Sequence, residues 1–205
     1  IAYCKKDGKW KEWGTSPINK QGYRSDINTV KDKILNGEID CREIICNNPM
    51  LYHQYGRTFD KLEDIRMEKI FRTEMTEGWY LWGGSGVGKS HSAFKNYHPD
   101  THYILNLQDK GWWDGYRQQE TVIINEFRGQ IPYGELNDLI DKWPKTVSRR
   151  NRQPLPFTSK RVIITSSMPP EEVYHNLSEN DELIQLFRRF KIIHVRSGQE
   201  VIIGS

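Results

Sequence analysis

Residues 83–90 read GGSGVGKS and meet the pattern GxxxxGK[ST] at every fixed position, Gly83, Gly88, Lys89 and Ser90. The flanks suit it. Trp79–Trp82 is a bulky, β-favouring run, and HSAFKNY after the loop can continue as a helix. Strand, glycine turn and helix together make a phosphate cradle. The glycines let successive N–H groups of Gly83, Gly84, Ser85, Gly86, Val87, Gly88, Lys89 and Ser90 turn toward one anion, and the helix N-terminus adds partial positive charge. Lys89 is placed to reach the terminal phosphates of ATP, and the Ser90 hydroxyl to ligate Mg²⁺.

The rest of the composition narrows the class. A chain of 205 residues holds one ordinary domain and a smaller one. Its net charge of +3 permits a nucleic-acid partner without requiring one. Cys4, Cys41 and Cys46 match neither a zinc spacing nor a disulfide framework, which suits a reducing compartment. No apolar run approaches membrane-spanning length, so a membrane role is not expected, and the isoleucine start suggests the cut end of something longer.

Along the chain, residues 1–21 alternate basic and aromatic side chains and then dissolve into a linker. From 22 to 72, Ile27, Val30, Ile34, Leu35, Ile39, Ile44, Ile45, Leu51, Tyr55, Phe59, Leu62, Ile65, Ile70 and Phe71 recur at helical spacing with breaks at Gly37 and Pro49 and a cap signal at Asp40. This predicts a small helical unit, either a collar on the remaining domain, 73–205, or a subunit contact surface. HYILNL at 102–107, TVIINEF at 121–127 and RVIITSS at 161–167 read as further strands, and NDELIQLFRRF at 180–190 as a capped helix closed by Arg188 and Arg189. The fold class is therefore α/β, a phosphate-loop NTPase with a parallel sheet.

Ligands sit beyond the carboxyl ends of strands in such sheets, which directs Asn125 and Glu126 to the nucleotide, with Thr165, Ser166 and Ser167 beside them. Asn125 takes the metal-side position through a weaker or water-mediated contact, and Glu126, the lone carboxylate, is the candidate general base. In DKGWWDGYRQQE, Lys110, Trp112, Trp113 and Tyr116 could stack on bases, though large aromatics in short connections are more often core anchors. Every charge from Lys142 to Arg161 is basic, and RRNRQP lies between two extended arms. A hairpin tipped by Arg149, Arg150, Asn151, Arg152 and Gln153 fits. Its arginines would repel one another unless an anion met them, and a DNA phosphate backbone is the expected anion, with a solvated basic loop as the alternative.

In order, GGSGVGKS, WWDGY, TVIINEF, the basic hairpin, RVIITSS and LFRRF resemble the superfamily 3 helicase motifs of replication initiator proteins from circular single-stranded DNA viruses, circovirus-like, and YCKKDG at 3–8 resembles the end of their nickase domain. The resemblance implies an AAA+-like, hexameric, ATP-driven 3′ to 5′ DNA helicase of the host-cell nucleus, with an oligomerisation role for the 22–72 unit. It implies further that Asn125 and Glu126 are the second nucleotide motif, Arg149 to Gln153 the pore hairpin, Ser167 the sensor and Arg188 or Arg189 the arginine finger. Asn125 and Ser167 depart from the family's Asp and Asn. Tyr3 and Lys6 match the nicking motif, but the chain offers no closely spaced histidine pair for the metal that nicking requires, so nicking is expected only of a longer parent. The competing class is a nucleotide-dependent DNA clamp that does not unwind.

Overall fold

The computed structural model describes residue 8 and residues 25–177, 182–199 and 201–203; Tyr3, Cys4, Lys6 and the helix cap expected at Asn180 lie outside the described residues. Three helices come first, α1 (Ser25–Asn36), α2 (Cys41–Asn47) and α3 (Pro49–Glu68). Asp40 caps α2 by accepting from Glu43 N–H while the Glu43 carboxylate accepts from Asp40 N–H, and Asn48 caps α3 with Pro49 in its first turn. Ile34, Cys41, Ile44 and Phe59 form a small core between them, with Ile27, Val30, Ile39, Leu51, Tyr55 and Leu62 packed partly buried against it, whereas Leu35, Ile45, Ile70 and Phe71, also read as periodic, are exposed.

The sheet comprises β1 (Glu77–Trp82), β2 (His102–Ile104), β3 (Thr121–Phe127), β6 (Arg161–Ser166) and β7 (Phe190–His194), in the order β2-β3-β6-β1-β7. All neighbours are parallel. Parallel strands need crossovers and are covered on both faces, and alternation along the strands does this. Trp79, Leu81, Ile123 and Ile163 face α4 (Lys89–Phe94), whereas Tyr80, Val122, Ile124, Val162 and Ile164 face the core shared with α5 (Tyr133–Leu139), α6 (Pro170–Val173) and α7 (Ile184–Phe187). Gly78 lies inside β1 because a Cβ there would meet the Phe190 ring at 2.6 Å.

Two expectations need correction. β2 ends at Ile104 rather than 107. The helix read over 180–190 is only the four residues of α7, and Phe190, counted on its apolar side, instead begins β7, where FKIIH pairs with β1. Trp113 and Tyr116 are core anchors, at 2% and 1% exposure, but Trp112 is 40% exposed.

The basic segment does form a hairpin, β4 (Thr146–Val147) against β5 (Leu155–Pro156). It is fastened to the body at several points. Trp113 N–H donates to Ser148 O, and Phe157 packs on the Trp113 and Tyr116 rings. Buried Arg72, in the segment between α3 and β1, donates to Trp143 O and to the last carbonyls of α5, Leu139 O and Asp138 O. A cation at a helix C-terminus satisfies carbonyls that the helix leaves unpaired.

Candidate nucleotide site and basic hairpin

The carboxyl ends of β1, β6 and β3 lie side by side, with Trp82 opposite Ser166 and Gly83 N–H donating to Ser166 O at 3.2 Å. The phosphate loop leaves β1 through Gly83, Gly86 and Gly88, whose φ values of 147°, 78° and 100° suit glycine. At Gly83 a side chain is excluded twice over, since a Cβ would also meet Val195 O at 2.5 Å. Lys89 is 6% exposed and its ammonium donates to Gly83 O at 2.9 Å and Gly84 O at 2.6 Å. The cation that belongs on a phosphate is thus held by the loop's own carbonyls.

Asn125 and Glu126 come to this place by a break in the ladder. The β3–β6 register shifts between Ile124 and Phe127, and Glu126 adopts φ 56°. In an unbroken strand these neighbours would point to opposite faces; a bulge re-aims one of them. Left-handed backbone in a non-glycine residue costs about 1–2 kcal/mol, and such strain concentrates at functional sites. Here the bulge is held by Thr165, whose Oγ1 accepts Glu126 N–H at 3.0 Å and donates to Asn125 Oδ1 at 2.8 Å. The Ser90 hydroxyl donates to the same Oδ1 at 2.9 Å.

A carbonyl oxygen has two lone pairs, and at Asn125 Oδ1 both accept hydroxyl protons, those of Thr165 and Ser90. Ser90, having donated its proton, keeps its lone pairs for a cation. A hard divalent ion such as Mg²⁺ suits this donor set of a serine hydroxyl with the Glu126 carboxylate nearby.

Ser85, Gly86, Gly88, Lys89, Ser90, His91, Glu126, Arg128 and Ser167 line one cavity of about 350 Å³. Three contributors to the site escaped the sequence reading in whole or in part. Thr165 was legible only as a polar strand end. Arg128 sits two residues past Glu126, with its guanidinium 3.9 Å from the Glu126 carboxylate. It is a cation supplied within the chain. His91 follows Ser90 directly and carried no signal of its own.

Arg188 and Arg189, at the end of α7, differ sharply. Arg189 donates to Asp141 Oδ2 at 3.0 Å and to Gln185 O at 3.2 Å. Burial would raise the Asp141 pKa, but Lys142 N–H and Arg189 hold it below its ordinary value. Arg188 is exposed, and its side chain has no partner among the described residues. Ile184, Phe187 and Arg188 share one helix face, with Ile184 62% and Phe187 39% exposed.

The hairpin arginines meet anions inside the chain. Arg149 is 6% exposed, donates to Gln153 O and forms an ion pair with Asp64 of α3 at 3.2 Å. Arg150 pairs with Asp114 and with Asp109, and Arg152 with Asp60 at 3.4 Å and Asp64 at 3.7 Å. The Arg150 N–H, followed by its guanidinium, pulls the Asp114 pKa below its ordinary value. Asn151, at φ 57°, makes the turn. Carboxylates on α3 and on the 109–114 turn are therefore the anions that meet the hairpin in this structure.

A family model described as RNA helicase matches residues 79–168, from β1 to the residues just past β6. The replication-associated protein of beak and feather disease virus is 32% identical over 190 residues, 92% of this chain and 61% of that protein. Those of goose circovirus and porcine circovirus 2 are each 30% identical, over 84% of this chain and 56% and 54% of theirs. The chain thus spans little more than half the length of these relatives. Among solved structures, the apo C-terminal region of NrS-1 matches at 18% identity with a TM-score of 0.42, covering 84% of this chain and 39% of that one, a likeness too loose to add to the sheet order above. Sheet order and phosphate loop together give this chain an α/β phosphate-loop NTPase fold, and over most of its length its sequence is similar to the circovirus replication-associated proteins.

Proposed function

We propose that the chain is the ATP-driven DNA motor of a viral replication initiator, hydrolysing ATP with Mg²⁺ and moving 3′ to 5′ on single-stranded DNA as an AAA+-like hexameric ring in the host-cell nucleus. The observation that carries this reading is the convergence of Lys89, Ser90, Glu126 and Ser167 in one cavity at the ends of three adjacent strands. The two departures from the family pattern remain compatible with hydrolysis, because Asn125 fixes Ser90 and Ser167 offers a hydroxyl to the same cavity.

In this reading the Lys89 ammonium leaves the Gly83 and Gly84 carbonyls for the nucleotide's terminal phosphates, countering charge that grows during transfer. Bound Mg²⁺ adds a Lewis acid on the phosphate oxygens. The Glu126 carboxylate, turned outward by the bulge, accepts the proton of the attacking water, and Ser167 orients that water. Arg128 holds the carboxylate between turnovers. With Arg189 committed to Asp141, Arg188 is the residue for a neighbour's nucleotide, and the apolar pair Ile184 and Phe187 gives its helix face the character of a subunit contact. The 22–72 unit supplies the remaining ring contacts, and the whole parent adds nicking through Tyr3.

One observation favours the clamp reading instead. Hairpin arginines satisfied inside the chain suit a protein that holds DNA only in one nucleotide state. Unwinding separates the two. With ATP and Mg²⁺ the motor releases a strand from a duplex carrying a 3′ tail and leaves a 5′-tailed duplex intact, and Lys89→Ala releases neither. ATP-dependent retention of DNA without strand release from either substrate would select the clamp.

A further inference from the structure

A second cavity, sharing no residue with the nucleotide site, opens between α2, α3, the 114–117 turn and the hairpin, with a volume of about 390 Å³. Its lining brings together five guanidinium groups, those of Arg42, Arg117, Arg149, Arg150 and Arg152, against the two carboxylates of Glu63 and Asp114. They come from four separate stretches of chain.

Their states differ in a telling way. Arg149 is locked to Asp64 and Gln153 O and forms a fixed positive wall. Arg150 and Arg152 are half-exposed, and Arg152 reaches its carboxylates only at 3.4 and 3.7 Å. Arg117 meets Asp40 at 3.7 Å, and exposed Arg42 has no side-chain partner among the described residues. Each guanidinium carries five N–H donors, more than these pairs use. Asp60, Asp64 and Asp109 lie outside the lining and pair with the hairpin arginines. Planar forks lining one cavity match a tetrahedral oxyanion, which accepts bidentate bonds from several arginines at once.

We propose that this cleft is a phosphate-binding site that takes a backbone phosphate of single-stranded DNA, with Arg42 and Arg117 as ligands beyond the hairpin. The proposal rests on the DNA-motor reading and deepens it: a phosphate seated here ties α2 to the hairpin, so DNA occupancy becomes a link between the helical unit and the NTPase domain. The same chemistry would also accept a free polyphosphate.

The test is a salt series of binding to fluorescent oligothymidylate, with and without inorganic tripolyphosphate, on the full chain. Three proteins are compared with wild type: Arg42→Ala; Arg42→Ala with Arg117→Ala; and Arg150→Ala with Arg152→Ala. Arg42→Ala breaks no ion pair among the described residues, so it reads the cleft even if the Arg117 variant melts early. The expected result is a slope of log affinity against log salt flatter by roughly 0.7 for each phosphate no longer neutralised, in Arg42→Ala as well as in the hairpin variant, with tripolyphosphate a poor competitor. An unchanged slope in both Arg42 variants, while the hairpin variant flattens, overturns the cleft and leaves DNA binding by the hairpin standing. Unchanged slopes in all three overturn both. Thermal stabilisation of wild type by tripolyphosphate that is abolished in Arg42→Ala, at unaltered DNA affinity, assigns the cleft to a free polyphosphate and overturns its assignment to DNA.

Discussion

Thr165 carries more of the nucleotide site than its side chain suggests. One hydroxyl holds the left-handed Glu126 backbone and completes the acceptor that fixes Ser90. Thr165→Val keeps the shape and removes both bonds, at about 1 kcal/mol each, which corresponds to a fall in kcat of roughly tenfold or more. Steady-state phosphate release checks this, with nucleotide affinity expected to change less than turnover. Arg149 makes the opposite case, a residue whose sequence context spoke for DNA and whose burial speaks for stability. Removing one partner of a buried pair costs about 3–5 kcal/mol, so Arg149→Ala should lower the denaturation midpoint strongly. A melting curve superimposable on wild type would mean that the Asp64 pair contributes nothing.

At the level of elements, the strands that bound the site were legible and the small devices that aim it were not. TVIINEF is β3 to the residue because a buried parallel strand is a continuous β-branched run, and the phosphate loop announces itself by its glycines. The bulge at Asn125 and Glu126 leaves no mark in composition, since it arises from Thr165, far along the chain on β6. Phe190, the first residue of β7, was absorbed into the helix before it because two apolar elements meet at Arg188 and Arg189 with only a short turn between, and the rest of FKIIH went unread. The hairpin was legible as a shape, but its electrostatics were not: the acids that neutralise it come from α3 and the 109–114 turn. This pairing makes a prediction for the whole element. Asp109→Asn with Asp114→Asn should release Arg150 from its pairs and tighten DNA binding at low salt, whereas an unchanged affinity would show that Arg150 takes no part. The sheet edge makes a second prediction. Burial would raise the Glu77 pKa, yet ion pairs with Lys191 and Arg161 bring it from 4.5 to about 2. A depressed carboxylate pKa contributes stability above the ordinary value and loses it as pH falls toward the folded one. Glu77→Gln should therefore be less stable than wild type near pH 7 and match it near pH 2, as thermal midpoints across that range would record.

For the whole molecule, the chain divides its labour between a sheet end that handles a nucleotide and a surface of arginines that faces elsewhere, joined through α3 and the hairpin. Whether each site is finished by a neighbour turns on Arg188, since Arg128 already offers one cation in cis. A mixture of Arg188→Ala and Lys89→Ala chains, each inactive alone, should regain part of the turnover when co-assembled; mixed assemblies seen by mass that stay inactive would place the whole site in one chain. Beneath that question lies the claim that the cavity formed by Lys89, Ser90, Glu126 and Ser167 hydrolyses ATP in response to DNA. Phosphate release with and without single-stranded DNA, in wild type and in Glu126→Gln, tests it most directly. The account predicts turnover that DNA stimulates in wild type, and ATP binding without turnover in Glu126→Gln under either condition. Wild-type rates in Glu126→Gln, or hydrolysis indifferent to DNA, would contradict it.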